Sequence, residues 1–368
     1  MTGLFDGRIR ALASVSPFTG PETLERRHGR PFTARLGANE SVFGPSPKAI
    51  EAMARVAAES WMYGDPEQFE LREALAAQHG LAVENIICGV GIDGLLRDLI
   101  TAACSPGSTV LTSLGAYPTF GYFATAAGAV IETVPYTSDF CQNWEALAER
   151  ARELHPKILY LTNPDNPTGS WHDAAALESL LAVVPEDTIV ALDEAYCDFA
   201  PEEATTRDDL IRPNLLRFRT FSKAYGMAGV RVGYVFGDPY AISQFDKVRD
   251  HFSVSRMALA GAQAALSDRD HLNWTVDEVA KSRIQLALVA EKQGFSALPS
   301  ATNFVAIDLG QGREYCRKVA KEIERQGVFI RRPGAEFLNR TLRVSAGTPS
   351  DIERFDEALR SAIEKVDT

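Results

Sequence analysis

FRTFSKAYGMAGVRVG, residues 218–233, sets a single lysine, Lys223, among small and hydroxyl-bearing residues and follows it with Arg231, eight positions later. A lysine in such a setting can be kept partly desolvated, which lowers its pKa and leaves a neutral amine able to condense with an aldehyde. Ser222 and Arg231 then read as ligands for an anion close to that amine. The same letters also describe a plain loop lysine ahead of a strand at 230–236, so the rest of the chain has to decide.

Around that stretch, short apolar runs alternate with helical patterns. The runs are 86–88, 109–112, 130–134, 158–162, 189–192, 215–220 and 230–236, with helical spacers such as 95–103, 144–154 and 174–183 between them. Apolar strands separated by helices indicate a mostly parallel sheet covered on both faces. The fold class expected is α/β: a large domain at 48–270 built on a mostly parallel seven-stranded sheet between helices, and a smaller α+β domain at 271–368. The smaller domain opens on a long helical pattern at 271–293 and continues with short strands at 304–309, 329–331 and 342–345. Residues 1–47 are broken by prolines and glycines and read as an arm that contributes to the small domain.

Open sheets of this kind bind ligands beyond the carboxyl ends of their strands. The suggestive residues collect there: Gly89–Asp93, Asn163–Gly169, Asp193–Tyr196 and Thr220–Lys223 each follow an apolar run.

The general composition narrows the function classes. With 38 Lys+Arg against 49 Asp+Glu the net charge is −11, which repels phosphate backbones and anionic lipid, so neither nucleic acid nor membrane is an expected partner. Any anion has to be bound locally. No apolar run approaches the length of a membrane span, and the first residues do not resemble a secretory signal, so the expected location is the cytoplasm. Five scattered cysteines without a C-x-x-C pair argue against a disulfide framework or structural zinc, and six histidines without helical pairing give no metal site.

A cofactor whose aldehyde and phosphate lie a few bonds apart on one ring suits the lysine stretch, and pyridoxal 5′-phosphate is that cofactor. Gly91, Ile92 and Asp93 stand between a strand and a helix start, where backbone N–H groups and the helix dipole converge on a phosphate; a tight glycine turn is the other reading. Asp193, at the end of the run TIVALDEAY, can pair with a protonated pyridine nitrogen, or it or Glu194 can cap the next segment. Tyr196 can hydrogen-bond the ring's 3-oxygen. Asn166, in the proline-constrained turn NPDNPTG, can meet both that oxygen and a substrate carboxylate, although turn structure alone explains the prolines. Phe120 can stack on the ring or belong to the core. Arg343 is a charge inside the apolar pattern TLRVS, suited to an α-carboxylate or to a structural salt bridge.

Taken together these residues resemble the aspartate-aminotransferase superfamily of pyridoxal-phosphate enzymes, fold type I, and within it the histidinol-phosphate aminotransferase branch. The resemblance covers nearly the whole chain: Ser16-Pro17-Phe18-Thr19-Gly20, Ala38-Asn39-Glu40-Ser41, Tyr63-Gly64-Asp65-Pro66, NPDNPTG, DEAY, TFSKAYGMAGVRVGY, Ile330-Arg331-Arg332-Pro333 and LRVSAGTP. It implies Lys223 as the Schiff-base lysine and proton shuttle, Asp193 on the pyridine nitrogen, and Asn166 and Tyr196 on the 3-oxygen. Gly91, Ile92, Asp93, Ser222 and Arg231 would hold the phosphate.

The same resemblance implies a homodimer with shared sites, in which Tyr63 reaches the phosphate of the neighbouring subunit. Arg343 would bind the substrate carboxylate and Arg331 would lie at the distal end, with Arg332 a second charge beside it. The expected reaction moves an amino group from histidinol phosphate or a similar amine donor to a 2-oxo acid such as 2-oxoglutarate. Three places depart from the family pattern: Phe18 replaces a tyrosine, Asn39-Glu40-Ser41-Val42 replaces N-E-N-P, and Phe252-Ser253-Val254-Ser255 carries serines where asparagines are usual. All three lie near the substrate end, which keeps an aromatic amino acid aminotransferase and a decarboxylase or lyase on the same scaffold as alternatives. A non-catalytic regulatory module is the alternative from another class; the intact Lys223 and the absence of a basic segment before residue 48 speak against it.

Overall fold

The computed structural model describes residues 3–12, 18–204 and 208–368. Its centre is a seven-stranded sheet of β1 (Ile86–Gly89), β2 (Thr109–Ser113), β3 (Val130–Val134), β4 (Ile158–Thr162), β5 (Ile189–Asp193), β6 (Leu215–Thr220) and β7 (Gly233–Gly237). The spatial order is β1-β7-β6-β5-β4-β2-β3, and β7 alone runs antiparallel to its neighbours. The parallel strands therefore deliver their carboxyl ends to one edge, and with them the segments that begin at Gly91, Asn163, Asp193 and Phe221.

Alternation along β4 explains why the sheet is covered on both faces. Ile158 and Tyr160 pack with Leu95, Leu96 and Leu99 of the helix Gly91–Ala103, whereas Leu159 and Leu161 pack with Trp144, Leu147, Leu177 and Leu181 on the other side. Successive side chains of a strand point to opposite faces, so a continuous apolar run needs two cores.

A second body is built on the antiparallel strands Ser296–Ala297, Phe304–Asp308 and Thr341–Ser345, backed by the helices Arg313–Arg325 and Pro349–Asp367. The arm enters it: Ala34–Arg35 pairs in parallel with Val328–Phe329, and Leu36 donates to the Phe329 carbonyl (2.7 Å) while accepting from the Ser345 amide (2.8 Å). Gly37 follows, where a Cβ would meet the Phe329 ring at 2.7 Å, so only glycine lets the arm pass this close. The helix Arg269–Lys292 joins the two bodies, giving Leu272 and Val279 to one core and Leu286, Val289 and Ala290 to the other.

The strand expected at 230–236 starts later, at Gly233. Ala228–Val230 is a short 3-10 turn and Arg231 adopts φ 61°, which breaks the extended backbone and turns its side chain back toward Ser222. Helices Pro239–Phe245 and Arg256–Ser267 had no clear signal in the sequence. The second is rich in alanine and small residues and packs against Pro47–Val56, with Gly261 against Met53. No helix among the described residues is long and apolar enough to cross a membrane.

Candidate active site

A cavity of about 420 Å³ opens at the carboxyl edge of the large sheet, between that edge, the arm and the second body. Of the residues expected at a site, it is lined by Ile92, Asp93, Asn166, Asp193, Tyr196, Ser222, Lys223, Arg231, Arg331, Arg343 and Phe18. These come from segments more than three hundred residues apart in the chain, and the topology alone brings them together.

One end is made for an anion. The helix Gly91–Ala103 begins here, so its first N–H groups have no intrahelical partner and its dipole favours negative charge. Gly91 has φ 73°, and a Cβ on it would sit 2.5 Å from Arg231 Nη2; the bare glycine keeps this cradle open. Arg231 donates from Nη1 to Ser222 Oγ (3.3 Å) and to the Ala228 carbonyl (3.0 Å), with Asp93 Oδ2 at 3.9 Å. Ser222 is buried and held in turn by Thr220, whose Oγ1 donates to it at 3.0 Å.

Asp193 closes the inner wall. Its Oδ2 accepts from the Tyr160 hydroxyl (2.7 Å) and its Oδ1 from the Ala195 amide (3.0 Å), so it caps the following turn and faces the cavity at once. Burial raises its pKa to about 6 despite those two donors. The next side chain, Glu194, points away into a buried ionic cluster: Arg217 reaches Glu194 Oε1 at 2.8 Å, Arg219 reaches Glu194 Oε2 at 2.9 Å, and Arg219 also pairs with Asp208 at 2.7 Å. His79 completes it through Asp208 (2.7 Å). This cluster ties the end of β5 to β6, the strand that leads to Lys223.

Lys223 donates to the Asn39 carbonyl at 3.2 Å, and its Nζ lies 5.6 Å from the centre of the Tyr196 ring. Part of its side chain faces the open cavity, yet protein surrounds the amine closely enough that desolvation lowers its pKa to about 8; repulsion from Arg343 adds to the shift. A neutral fraction of amine is thus present near physiological pH. Tyr196 is buried, which pushes its hydroxyl up to about 12, and it accepts from Asn39 Nδ2 (2.9 Å) and, at longer range, from Asn166 Nδ2 (3.4 Å).

Arg343 projects into the cavity from the strand Thr341–Ser345. It donates to Asn166 Oδ1 (2.6 Å) and to the Gly37 carbonyl (3.0 Å), while its buried Nε has no protein partner among the described residues. No carboxylate pairs with it there, so the salt-bridge reading of this arginine is not what the structure contains. Burial lowers its pKa to about 10. Arg331 also lines the cavity, donating to the Thr19 carbonyl (2.8 Å) with its guanidinium 5.9 Å from the Phe18 ring. Arg332 directs its guanidinium to the carbonyls of Pro333 and Asn339 and forms no part of the wall.

Phe120 requires a correction. It is fully buried, stacks on Tyr160 (centroids 4.5 Å apart, 10° between planes) and does not line the cavity. The helix starts at Pro118, so Phe120 in its first turn is rolled inward onto the sheet, whereas Tyr117 just before it stays at the cavity wall. Tyr117 bonds Asp93 (3.1 Å) and stacks with Phe18 at 5.8 Å. Tyr63 lies outside the cavity of its own chain, 76% exposed and packed on Phe252 at 4.8 Å. Sequence reasoning gave no individual role to Tyr117, Tyr160, Thr220 or the buried Asn39. Ser16 and Pro17 lie outside the described residues.

The donor set fits pyridoxal phosphate: an amine of lowered pKa for the aldehyde, a carboxylate for the ring nitrogen, and a hydroxyl, a guanidinium and a helix start for the phosphate. The comparisons agree. The family description "Aminotransferase class I and II" matches residues 33–359. A crystal structure of histidinol-phosphate aminotransferase from Sinorhizobium meliloti, in complex with pyridoxal-5′-phosphate, is 42% identical, covers 100% of this chain and 99% of its own, and has a TM-score of 0.96. Histidinol-phosphate aminotransferase 1 of Mesorhizobium japonicum is 35% identical across 94% of this chain and 95% of its own. An aromatic amino acid aminotransferase of Nocardia farcinica is 36% identical across 95% of both.

Proposed function

The chain belongs to the class I and II aminotransferases, and from that premise we propose that it takes the amino group of histidinol phosphate, or of a similar phosphorylated amine, and passes it to 2-oxoglutarate. It is a pyridoxal-phosphate-dependent transaminase of α/β fold, similar throughout to histidinol-phosphate aminotransferases. The observation that supports the donor is the presence of two arginines, Arg331 and Arg343, on the wall of one cavity. Arg331 would take the donor's phosphate and Arg343 the carboxylate of the 2-oxo acid, a group that histidinol phosphate lacks.

When bound, pyridoxal phosphate supplies an aldehyde for the donor's amine and a ring that draws electron density from the donor's Cα. Ser222, Arg231 and the N–H groups of Ile92 and Asp93 would hold its phosphate, and Gly91 leaves the room. Asp193 would pair with the ring nitrogen, Asn166 and Tyr196 would serve the 3-oxygen, and Tyr117 would take the stacking role expected of Phe120. Lys223, with an amine partly neutral at working pH, takes the proton from the donor's Cα. Arg343 would orient a substrate carboxylate, that of the 2-oxo acid or of an amino acid donor, through its planar fork, and Phe18 with Tyr117 excludes water from one side.

The reading includes a cytoplasmic homodimer in which Tyr63 of each copy completes the other's phosphate site. The exposed aromatic group of Trp61, Tyr63 and Phe252 supports an interface there. An aromatic amino acid donor is the second reading, favoured by Phe18, which lacks a hydroxyl to bond a polar donor and stacks with Tyr117 at the cavity. The test compares kcat/KM for histidinol phosphate and phenylalanine in wild type and Arg331→Ala. A strong loss confined to the phosphorylated donor is expected; equal losses, or a wild-type preference for phenylalanine, would leave an aromatic aminotransferase. Amino transfer to added 2-oxoglutarate separates either from a decarboxylase or lyase.

A further inference from the structure

Asn39 is 2% exposed, adopts φ 54° and bonds to four residues from distant parts of the chain. Its amide N–H donates to Ser345 Oγ (3.0 Å), and Ser345 Oγ donates back to Asn39 Oδ1 (3.0 Å). Its Nδ2 donates to the Tyr196 hydroxyl (2.9 Å), and its carbonyl accepts from Lys223 Nζ (3.2 Å) and Asn303 Nδ2 (3.0 Å). Asparagine enters the left-handed backbone region more readily than most side chains, which suits it to this corner.

The direction of the Tyr196 proton follows from what surrounds it. An amide side chain is ambiguous until a partner of known polarity fixes it. For Asn166 that partner is Arg343, which has donors only, so Oδ1 faces Arg343 and Nδ2 faces Tyr196. For Asn39 the structure sets Oδ1 toward Ser345, whose Oγ accepts the Asn39 N–H and gives its own proton to Oδ1, and Nδ2 toward Tyr196. Both amides therefore present N–H to the Tyr196 oxygen. Among the described residues no acceptor takes the hydroxyl's hydrogen, and Tyr196 lines the cavity.

We infer that Asn39 is a positioning residue: by donating to the Tyr196 oxygen it holds the hydroxyl as a donor directed into the cavity, toward the oxygen of a bound cofactor ring. The inference rests on the reading of this cavity as the pyridoxal-phosphate site. It extends that site across the joint between the bodies, since Asn39 belongs to the arm, Tyr196 to the turn after β5 of the large sheet and Ser345 to the second body.

The test is a pair of mutant cycles read on the visible absorbance of the cofactor-loaded protein, titrated with pH. A donor on the ring oxygen stabilises its anionic form, so Tyr196→Phe in the wild-type background raises the midpoint by about 0.4–1.1 pH units, the worth of one hydrogen bond. Asn39→Asp replaces the donor by an acceptor of the same shape and turns the hydroxyl's proton away from the cavity. In that background Tyr196→Phe produces no further shift; the added charge is common to both arms and cancels. Asn39→Gly, which keeps the backbone conformation, serves where Asn39→Asp does not fold, and there the Tyr196→Phe shift shrinks. An undiminished Tyr196→Phe shift in either Asn39 background overturns the inference. Failure of Tyr196→Phe to move the midpoint in the wild-type background, or the lack of any visible band, overturns the reading of the site itself and the inference with it.

Discussion

Arg331 and Arg343 face each other across an antiparallel bridge in which each donates its amide to the other's carbonyl, at 3.1 and 2.7 Å. Residues directly opposed in such a pair project to the same side, so two guanidiniums share one wall of the cavity. Like charges placed so are unfavourable until an anion sits with them, and each is held below the usual arginine range, mainly by burial. The pair is arranged for anionic substrates, the phosphate of the donor and the carboxylate of the 2-oxo acid in turn.

From this we expect Arg343→Lys to impair 2-oxoglutarate and every amino donor that carries a carboxylate. Replacing a planar fork by a point charge removes a charge-assisted contact worth about 1.5–3 kcal/mol, or about 10- to 150-fold in kcat/KM. Amino acid donors and 2-oxoglutarate should fall together; a fall confined to phosphorylated donors would exchange the roles given to Arg343 and Arg331.

Asp193→Asn should cut turnover strongly while stabilising the cofactor-free protein. The carboxyl's pKa is raised to about 6 by burial, so its favourable contribution is complete below its unfolded value and is lost as pH rises through about 6. Above that pH the ionised group costs stability, up to about 3 kcal/mol for a shift of this size. Melting the cofactor-free variant and wild type at neutral and at acid pH checks this: the variant gains at neutral pH, and the difference closes in acid.

For Lys223, arylation of the cofactor-free protein by an amine reagent should follow a pH midpoint near 8. Arg343→Met should raise it, because repulsion from Arg343 stands next after burial among the causes. Lys223→Ala should abolish the visible band of the loaded protein; an unchanged band would place the reactive amine elsewhere.

Gly91→Ala should weaken cofactor binding without unfolding the chain. Alanine is strained at φ 73°, and its Cβ would press on Arg231 Nη2 at 2.5 Å, which can swing away only by leaving the phosphate position. The expected loss is on the order of tenfold or more in affinity, measured by equilibrium dialysis.

Mixing Tyr63→Ala with Lys223→Ala should restore part of the activity that each lacks alone, since one of the two hybrid sites then carries both residues. Recovery fails if Tyr63 acts within its own chain, provided that subunit exchange is shown by mass.

The sheet and the charged centre of the site were legible before the structure because both are written in local signals. Apolar runs such as ILYLT and IVALD read as strands with two cores, Asp193 and Arg343 stand out as charges in apolar runs, and Lys223 stands alone among small and hydroxyl-bearing residues. What escaped depends on rotation or distance. Tyr117 and Phe120 are both aromatic and three residues apart, and only the start of the helix at Pro118 decides which one faces the cavity. Tyr160 reads as core, yet its hydroxyl reaches Asp193. Asn39 gained its meaning from Ser345, whose contact no local pattern announces.

The helix Arg269–Lys292 fixes how the molecule can be taken apart. Its first half supplies Leu272 and Val279 to one core and its second half Leu286, Val289 and Ala290 to the other, so one continuous rod is a wall of both. Any cut that frees one body strips the other of packed side chains or leaves an apolar stripe bare. Heat or denaturant should therefore melt both bodies in a single transition, and fragments divided at this helix should regain structure only when recombined.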